Sequence, residues 1–185
     1  MAKITPKNIL VPTAVLMVIC LVISAALAFT NSITKDKIAE INYQNQVESM
    51  SAIFPEEGNE FGEKEIDGTT YYEVVKDGDT VGFVFTTSAT GYGGEVKVMT
   101  GMEPDGKVRA VEVLSCDDET PGLGATAKGN SEFLGQFSGK SSAISTEKNK
   151  DIDALTGATI TTTAVINSVN QAIELYGQVK GESGK

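Results

Sequence analysis

Residues 95–114 read EVKVMTGMEPDGKVRAVEVL, and this stretch decides the fold. Two β-prone runs, Glu95–Met102 and Lys107–Leu114, flank Pro104-Asp105-Gly106, with Pro and Gly where a tight turn uses them. Alternation along the second run puts Val108, Ala110 and Glu112 on one face and Arg109, Val111 and Val113 on the other. Upstream, Thr70–Val75 and Thr80–Thr87 flank Lys76-Asp77-Gly78-Asp79, a second hairpin by turn type. Four strands in two hairpins predict an antiparallel sheet. The polar stretch from Glu56 to Gly68 reads as a loop.

Helical patterns lie on both sides of this block. Residues 130–137 (NSEFLGQF) predict a short helix, and Thr161 to Val179 a longer one. In the latter, Val165, Val169, Ala172, Ile173 and Tyr176 form one apolar stripe at helical spacing. The sum is an α+β fold, an antiparallel sheet flanked by helices. Toward the N-terminus, Ile9 to Phe29 carries no charge, and its length as a helix matches a bilayer core of about 30 Å. One N-terminal transmembrane helix is therefore expected, with Pro12 in its first turns. Lys3 and Lys7 precede it, which puts the N-terminus in the cytoplasm and the rest outside. Ala26-Leu27-Ala28 also has the form of a signal-peptidase site, and both a retained anchor and a cleaved one lead to an extracytoplasmic domain. Helix is expected to continue from Thr30 to Phe54, with Asn31 or Ser32 as an alternative cap and Pro55 as the stop. The expected organisation is an anchor at 1–29, a helix and linker at 30–68, and a folded domain at 69–185.

Composition removes several classes of function. Among 185 residues, Lys and Arg total 15 and Asp and Glu 25, a net charge of −10. With Lys3 and Lys7 set aside, the remainder carries 13 basic and 25 acidic residues, a net of −12. Such a surface repels phosphate backbones, so no nucleic acid is expected as a partner. There is no His, which removes His-based triads and His metal ligands. Cys20 lies in the apolar segment and Cys116 far downstream, so neither a disulfide nor a thiolate metal site is expected. Redox chemistry in this chain requires an organic cofactor or a partner.

The segment Asp153-Ala154-Leu155-Thr156-Gly157-Ala158-Thr159 stands directly before the long amphipathic helix. Gly157 and Ala158 allow close approach of a ligand to the backbone, and the helix start offers unpaired N–H groups and a positive dipole end suited to phosphate. Thr161, Thr162 and Thr163 add hydroxyls at the same place, Thr159 offers a nucleophilic oxygen, and Asp153 is a carboxylate able to orient or deprotonate it. The same residue types also serve as ordinary helix caps and turns.

The segment resembles the flavinylation motif D-x-x-(S/T)-G-A-(T/S) of the FMN-binding domain family. That resemblance implies FMN joined by a phosphoester to Thr159, installed by a separate flavin transferase that uses FAD and a divalent metal. Asp153, Thr156, Gly157 and Ala158 then serve recognition and positioning. Glu119-Thr120-Pro121-Gly122-Leu123-Gly124 resembles the E-T-P-G-L-G segment of the G-subunit family of the Rnf complex, the ion-translocating ferredoxin:NAD oxidoreductase, and Gly91-Tyr92-Gly93-Gly94 is similar to that family as well. In the sodium-pumping NADH:quinone oxidoreductase, the related C-type polypeptide shares the Thr motif. Many relatives carry a His before the E-T-P-G-L-G segment, where this chain has Ser115-Cys116-Asp117-Asp118.

The resemblance implies a single-pass protein of the cell (inner) membrane that carries electrons and is not a complete enzyme. Its implied partners are the other membrane and peripheral subunits of an Rnf-type complex. Glu119, Thr120, Gly122, Leu123 and Gly124 are expected beside the cofactor, with Glu119 accepting a hydrogen bond from the flavin. Tyr92 is a candidate to stack on the ring, and Lys97, Lys107, Arg109 and Lys128 are candidate contacts to flavin or partner. Two alternatives stand beside this reading: a stand-alone FMN-carrying domain, and an anchored, cofactor-free binding module whose Thr motif only caps a helix.

Overall fold

The computed structural model describes residues 6–66, 68–147 and 150–183. It is α+β, with a five-stranded antiparallel sheet in the order β1-β2-β3-β4-β5. The strands are β1 (Glu60–Ile66), β2 (Thr69–Lys76), β3 (Asp79–Thr90), β4 (Glu95–Met102) and β5 (Val108–Ser115). The helices are α1 (Pro6–Ile53), α2 (Ser131–Gly135) and α3 (Thr159–Ser183), with a 3-10 turn at Gly124–Ala127. By contacts the chain divides into two units, Met1–Gln44 and Asn45–Lys185.

The described residues of the first unit, from Pro6, are helix. Leu10–Lys35 is long and apolar enough to cross a membrane, with a mean hydropathy of 2.7 over its apolar window. Helix α1 runs through Asn31 and Ser32 without a break, so neither acts as a cap. It ends where the Pro55 ring follows, with the Phe54 N–H donating to the Met50 carbonyl at 2.9 Å.

In the second unit every strand connection is a hairpin. At the β2–β3 turn, Asp77 (φ 53°) and Gly78 (φ 92°) both take the left-handed conformation that a two-residue type I′ turn needs. The sheet has one strand more than the two hairpins account for. The stretch read as loop contains β1, which pairs with β2 from Glu60↔Val75 to Ile66↔Thr69. Its sequence, EFGEKEI, shows no apolar alternation because an edge strand needs backbone pairing and little burial. Lys64 forms an ion pair with Glu73 of β2.

Alternation in β5 is also reset. Met102 faces Val108 while Gly101 faces Ala110, so Arg109 is an extra residue and the phase shifts there. Val108 therefore joins Val111 and Val113 in the core beneath α3, and Ala110 packs against the opposite cluster. The main core lies between one sheet face and α2, α3 and their loops, with Phe85, Val96, Val98, Phe137, Val165 and Val169 fully buried. Of the stripe read from the sequence, Val165, Val169, Ala172 and Tyr176 are buried and Ile173 partly so. The Tyr176 hydroxyl donates to the Pro104 carbonyl at 2.7 Å, tying α3 to the β4–β5 turn.

The other sheet face is covered by the end of α1. Met50, Ile53 and Phe54 pack on Val74, Val84 and Met99. Two glycines make the seat. A Cβ on Gly82 would lie 2.8 Å from the Met102 carbonyl oxygen and collide with the Phe54 ring, and one on Gly101 would collide with Ile53 Cγ2. Arg109 closes the edge: its guanidinium lies 4.7 Å from the Phe54 ring centroid, its Nε donates to the Ile53 carbonyl at 2.9 Å, and it pairs with Glu56.

Candidate functional site

At one end of the sheet three segments meet: the β3–β4 loop, the residues after β5, and the first turn of α3. Between them is a cleft of about 590 Å³ lined by Tyr92, Glu119, Thr120, Leu123, Gly124, Gly157, Ala158, Thr159, Ile160 and Thr161. The two loops and the Thr motif, far apart in sequence, are thus brought to one place. Asp153, Thr156 and Gly122 are not on the lining.

The floor is built from a sharp turn. The Ala158 N–H donates to the Leu155 carbonyl at 3.0 Å, with Gly157 at φ 73°, a conformation that costs a Cβ-bearing residue energy. Ala158 then accepts the first helical bond, from the Thr162 N–H at 2.9 Å. The amides of Thr159, Ile160 and Thr161 precede any intrahelical acceptor, and no described side chain caps them. This is the arrangement that binds a phosphate at a helix start.

The threonines divide sharply. Thr162 Oγ1 donates to the Ala158 carbonyl at 3.0 Å and accepts from the Leu155 N–H at 3.1 Å. Thr163 Oγ1 donates to the Thr159 carbonyl at 2.9 Å, and Thr161 Oγ1 donates to Glu119 Oε2. Of the four, only the Thr159 hydroxyl, exposed on the cleft, has no partner among the described residues. The crowd of hydroxyls read from the sequence is therefore one free hydroxyl and three committed braces. Asp153 is exposed, and no hydrogen bond joins it to Thr159 among the described residues. Its backbone is held by Gln136: the Asp153 N–H donates to Gln136 Oε1 at 2.6 Å and Gln136 Nε2 donates to the Asp153 carbonyl at 3.4 Å.

Glu119 is buried, at 2% exposure. Its Oε1 accepts from the Gly93 N–H at 3.0 Å, and its Oε2 is the acceptor for Thr161. Burial by itself pushes the carboxyl pKa up, but the Thr161 hydroxyl and the amides of Gly93, Tyr92 and Gly94 outweigh burial and hold it below the usual value. The glycines fit around this group. A Cβ on Gly91 would strike Glu119 Oε1, and one on Gly124 would strike Thr161 Oγ1 and come within 2.5 Å of Glu119 Oε2. A Cβ on Gly94 would lie 2.6 Å from Asp118 Oδ2. Gly91, Gly94 and Gly124 thus make room for Asp118, Glu119 and Thr161. Both Glu119 oxygens have protein donors.

The rim of the cleft is apolar. Among the described residues after Gln44, excluding those of α1, the exposed large hydrophobics are Tyr92, Leu123 and Ile160, and all three line this cleft. Ile160 escaped the sequence reading, although it lies off the apolar stripe of α3 and so had no core to fill. None of Lys97, Lys107, Arg109 and Lys128 is on the lining. Arg109 holds α1, Lys107 pairs with Asp105, and Lys128 Nζ donates to the Leu114 carbonyl at 2.9 Å. Cys116 is buried, and burial pushes its thiol pKa up.

Residues 91–174, which hold every lining residue, match the model of the FMN-binding domain family. Residues 1–53 match that of the RnfG N-terminal region. The chain is 33% identical over 184 residues to the G polypeptide of the Na(+)-translocating ferredoxin:NAD(+) oxidoreductase complex of Acetobacterium woodii, covering 88% of each chain. It is 34% identical over 181 residues to the G polypeptide of the proton-translocating ferredoxin:NAD(+) oxidoreductase complex of Clostridium ljungdahlii, covering 94% of this chain and 95% of that one. Among solved structures, the C polypeptide of the Na(+)-translocating NADH-quinone reductase of Parabacteroides distasonis overlaps 55% of this chain and 59% of its own at 22% identity and a TM-score of 0.45. With near full-length coverage at one third identity, and with both of its regions matched, the chain belongs to the RnfG family, the G-type subunits of the ion-translocating ferredoxin:NAD oxidoreductase (Rnf) complexes.

Proposed function

We propose that this chain is the covalently flavinylated electron carrier of an Rnf-type complex, with FMN held through a phosphoester on Thr159. The observation that carries the reading is the free hydroxyl of Thr159 at an uncapped helix start, on a cleft with an apolar rim. The residues fit the group. The amides of Thr159, Ile160 and Thr161 suit a phosphate, and Tyr92, Leu123 and Ile160 suit the apolar faces of a ring system. No Lys or Arg is among the lining residues, so phosphate charge falls to the helix start.

Attachment is a phosphoryl-type transfer. Thr159 Oγ attacks the FMN-side phosphorus of FAD, the pyrophosphate bond breaks, AMP leaves, and the hydroxyl proton passes to a base on the flavin transferase. Asp153 and Thr156 are exposed and off the cleft, which suits recognition by that transferase. Bound FMN supplies one- and two-electron redox chemistry, and the protein holds and tunes it. The chain is thus a carrier within an oxidoreductase and not a complete enzyme.

Helix α1 anchors the protein in the cell membrane, and Lys3 and Lys7 keep the N-terminus cytoplasmic with the flavin domain outside. Leu10–Lys35 contains no Asp or Glu, so the ion path belongs to partner subunits. Affinity purification of the tagged full chain from its own membranes tests this reading. Recovery of multi-span subunits together with a flavin absorbance that survives denaturation is expected. A colourless chain recovered alone overturns it.

A further inference from the structure

Thr159 faces the cleft, and Thr162 ties the first turn of α3 to Leu155 and Ala158 of the Thr motif. A further tie on the same turn comes from a side chain outside the motif, Glu119. Thr161 stands two residues on, about 200° around the helix from Thr159, at the buried inner wall of the same cleft. It is buried there, and its hydroxyl is spent on Glu119. The same carboxylate holds the β3–β4 loop through the Gly93 N–H at 3.0 Å. One side chain thus joins the buried side of the attachment turn to the loop that carries Tyr92, and Gly91 and Gly124 leave the space it occupies.

We propose that Glu119 is a positioning residue for flavin attachment, acting through Thr161: it locks the first turn of α3 so that Thr159 presents its hydroxyl to the cleft. This rests on the reading of Thr159 as the attachment residue. Glu119 need not touch the flavin, and the E-T-P-G-L-G loop then serves the site by clamping it. Without the clamp the turn rotates or frays, and the nucleophile leaves the geometry that transfer requires. A misplacement of about 1 Å costs such a reaction on the order of a hundredfold.

The test uses the unflavinylated full chain in detergent, incubated with flavin transferase, FAD and a divalent metal. The mass shift is followed in time, and amide hydrogen exchange is measured on the same chains before loading. Thr161→Val is expected to slow attachment between about ten- and a hundredfold. It should also speed exchange at both 92–94 and 159–162. Thr161→Ser, which keeps the hydroxyl, should restore both. Glu119→Gln should fall between, because its amide can still accept from Gly93 and donate to Thr161 but carries no charge. Attachment to Thr161→Val at the wild-type rate overturns the proposal, as does faster exchange confined to 159–162. Should Thr161→Val fail to fold, the ordering of Thr161→Ser above Glu119→Gln carries the test, and equal rates for these two overturn it. Failure of the wild-type chain to take FMN at Thr159 would sink the attachment reading instead, while the exchange data still report on the clamp.

Discussion

Seating of the α1 end on the sheet through bare backbone makes a prediction that can be worked through. In Gly101→Ala the new methyl runs into Ile53 Cγ2 and lies 3.2 Å from Phe54 Cε2. Ile53 and Phe54 are each 2% exposed, so neither has room to retreat. Overpacking of this kind costs about 1–3 kcal/mol. For a unit of this size that lowers Tm by about 3–9 °C. Ile53→Ala alone opens a cavity and costs about 2–5 kcal/mol. The two changes are not independent, because Ile53→Ala removes the atom that the new methyl strikes, and the methyl refills part of the cavity. The double variant should therefore be more stable than the sum of the singles by at least about 1 kcal/mol. Urea denaturation of the full chain in detergent, followed by circular dichroism, reads the cycle. Additivity within about 0.5 kcal/mol would refute this account of how α1 meets the sheet.

Two further predictions concern single side chains elsewhere in the fold. Glu112 in β5 has its pKa raised by burial alone, so the folded state holds its proton more tightly than the unfolded one. Stability then falls as pH rises through the window between the ordinary carboxylate value and the raised one. Glu112→Gln should accordingly raise Tm near neutral pH and leave it unchanged below the ordinary carboxylate range, and the reverse pattern in thermal melts would refute this. Gln136→Leu removes both hydrogen bonds to the Asp153 backbone. It should cost about 1–2 kcal/mol, expose the Asp153 amide to hydrogen exchange, and slow flavin attachment without changing the attachment residue.

Much of this architecture is legible in the sequence, for identifiable reasons. The β2–β3 and β4–β5 hairpins announce themselves because Asp77-Gly78 and Pro104-Asp105-Gly106 are turn chemistry between apolar runs. The stripe of α3 is visible because it faces a single core. Strand β1 is hidden because its edge position asks for little burial, and the Arg109 bulge because alternation assumes an unbroken register. At the site, the motif and both loops stand out, but the destinations of their side chains do not. Gly91 and Gly124 make room for Glu119, and threonines that suggest phosphate donors brace the turn. Pairings such as Glu119 with Thr161, or Gln136 with Asp153, join positions far apart in sequence and carry no local signal.

The central claim is one covalent flavin on one threonine. Intact-protein and peptide mass spectrometry of the chain co-expressed with a flavin transferase, with Thr159→Val alongside, tests it most directly. The account predicts the mass of FMN less one water on the peptide containing Thr159, and an unmodified but folded Thr159→Val protein. An unmodified wild-type chain, a modified Thr159→Val chain, or attachment at Thr156, Thr161, Thr162 or Thr163 would contradict it.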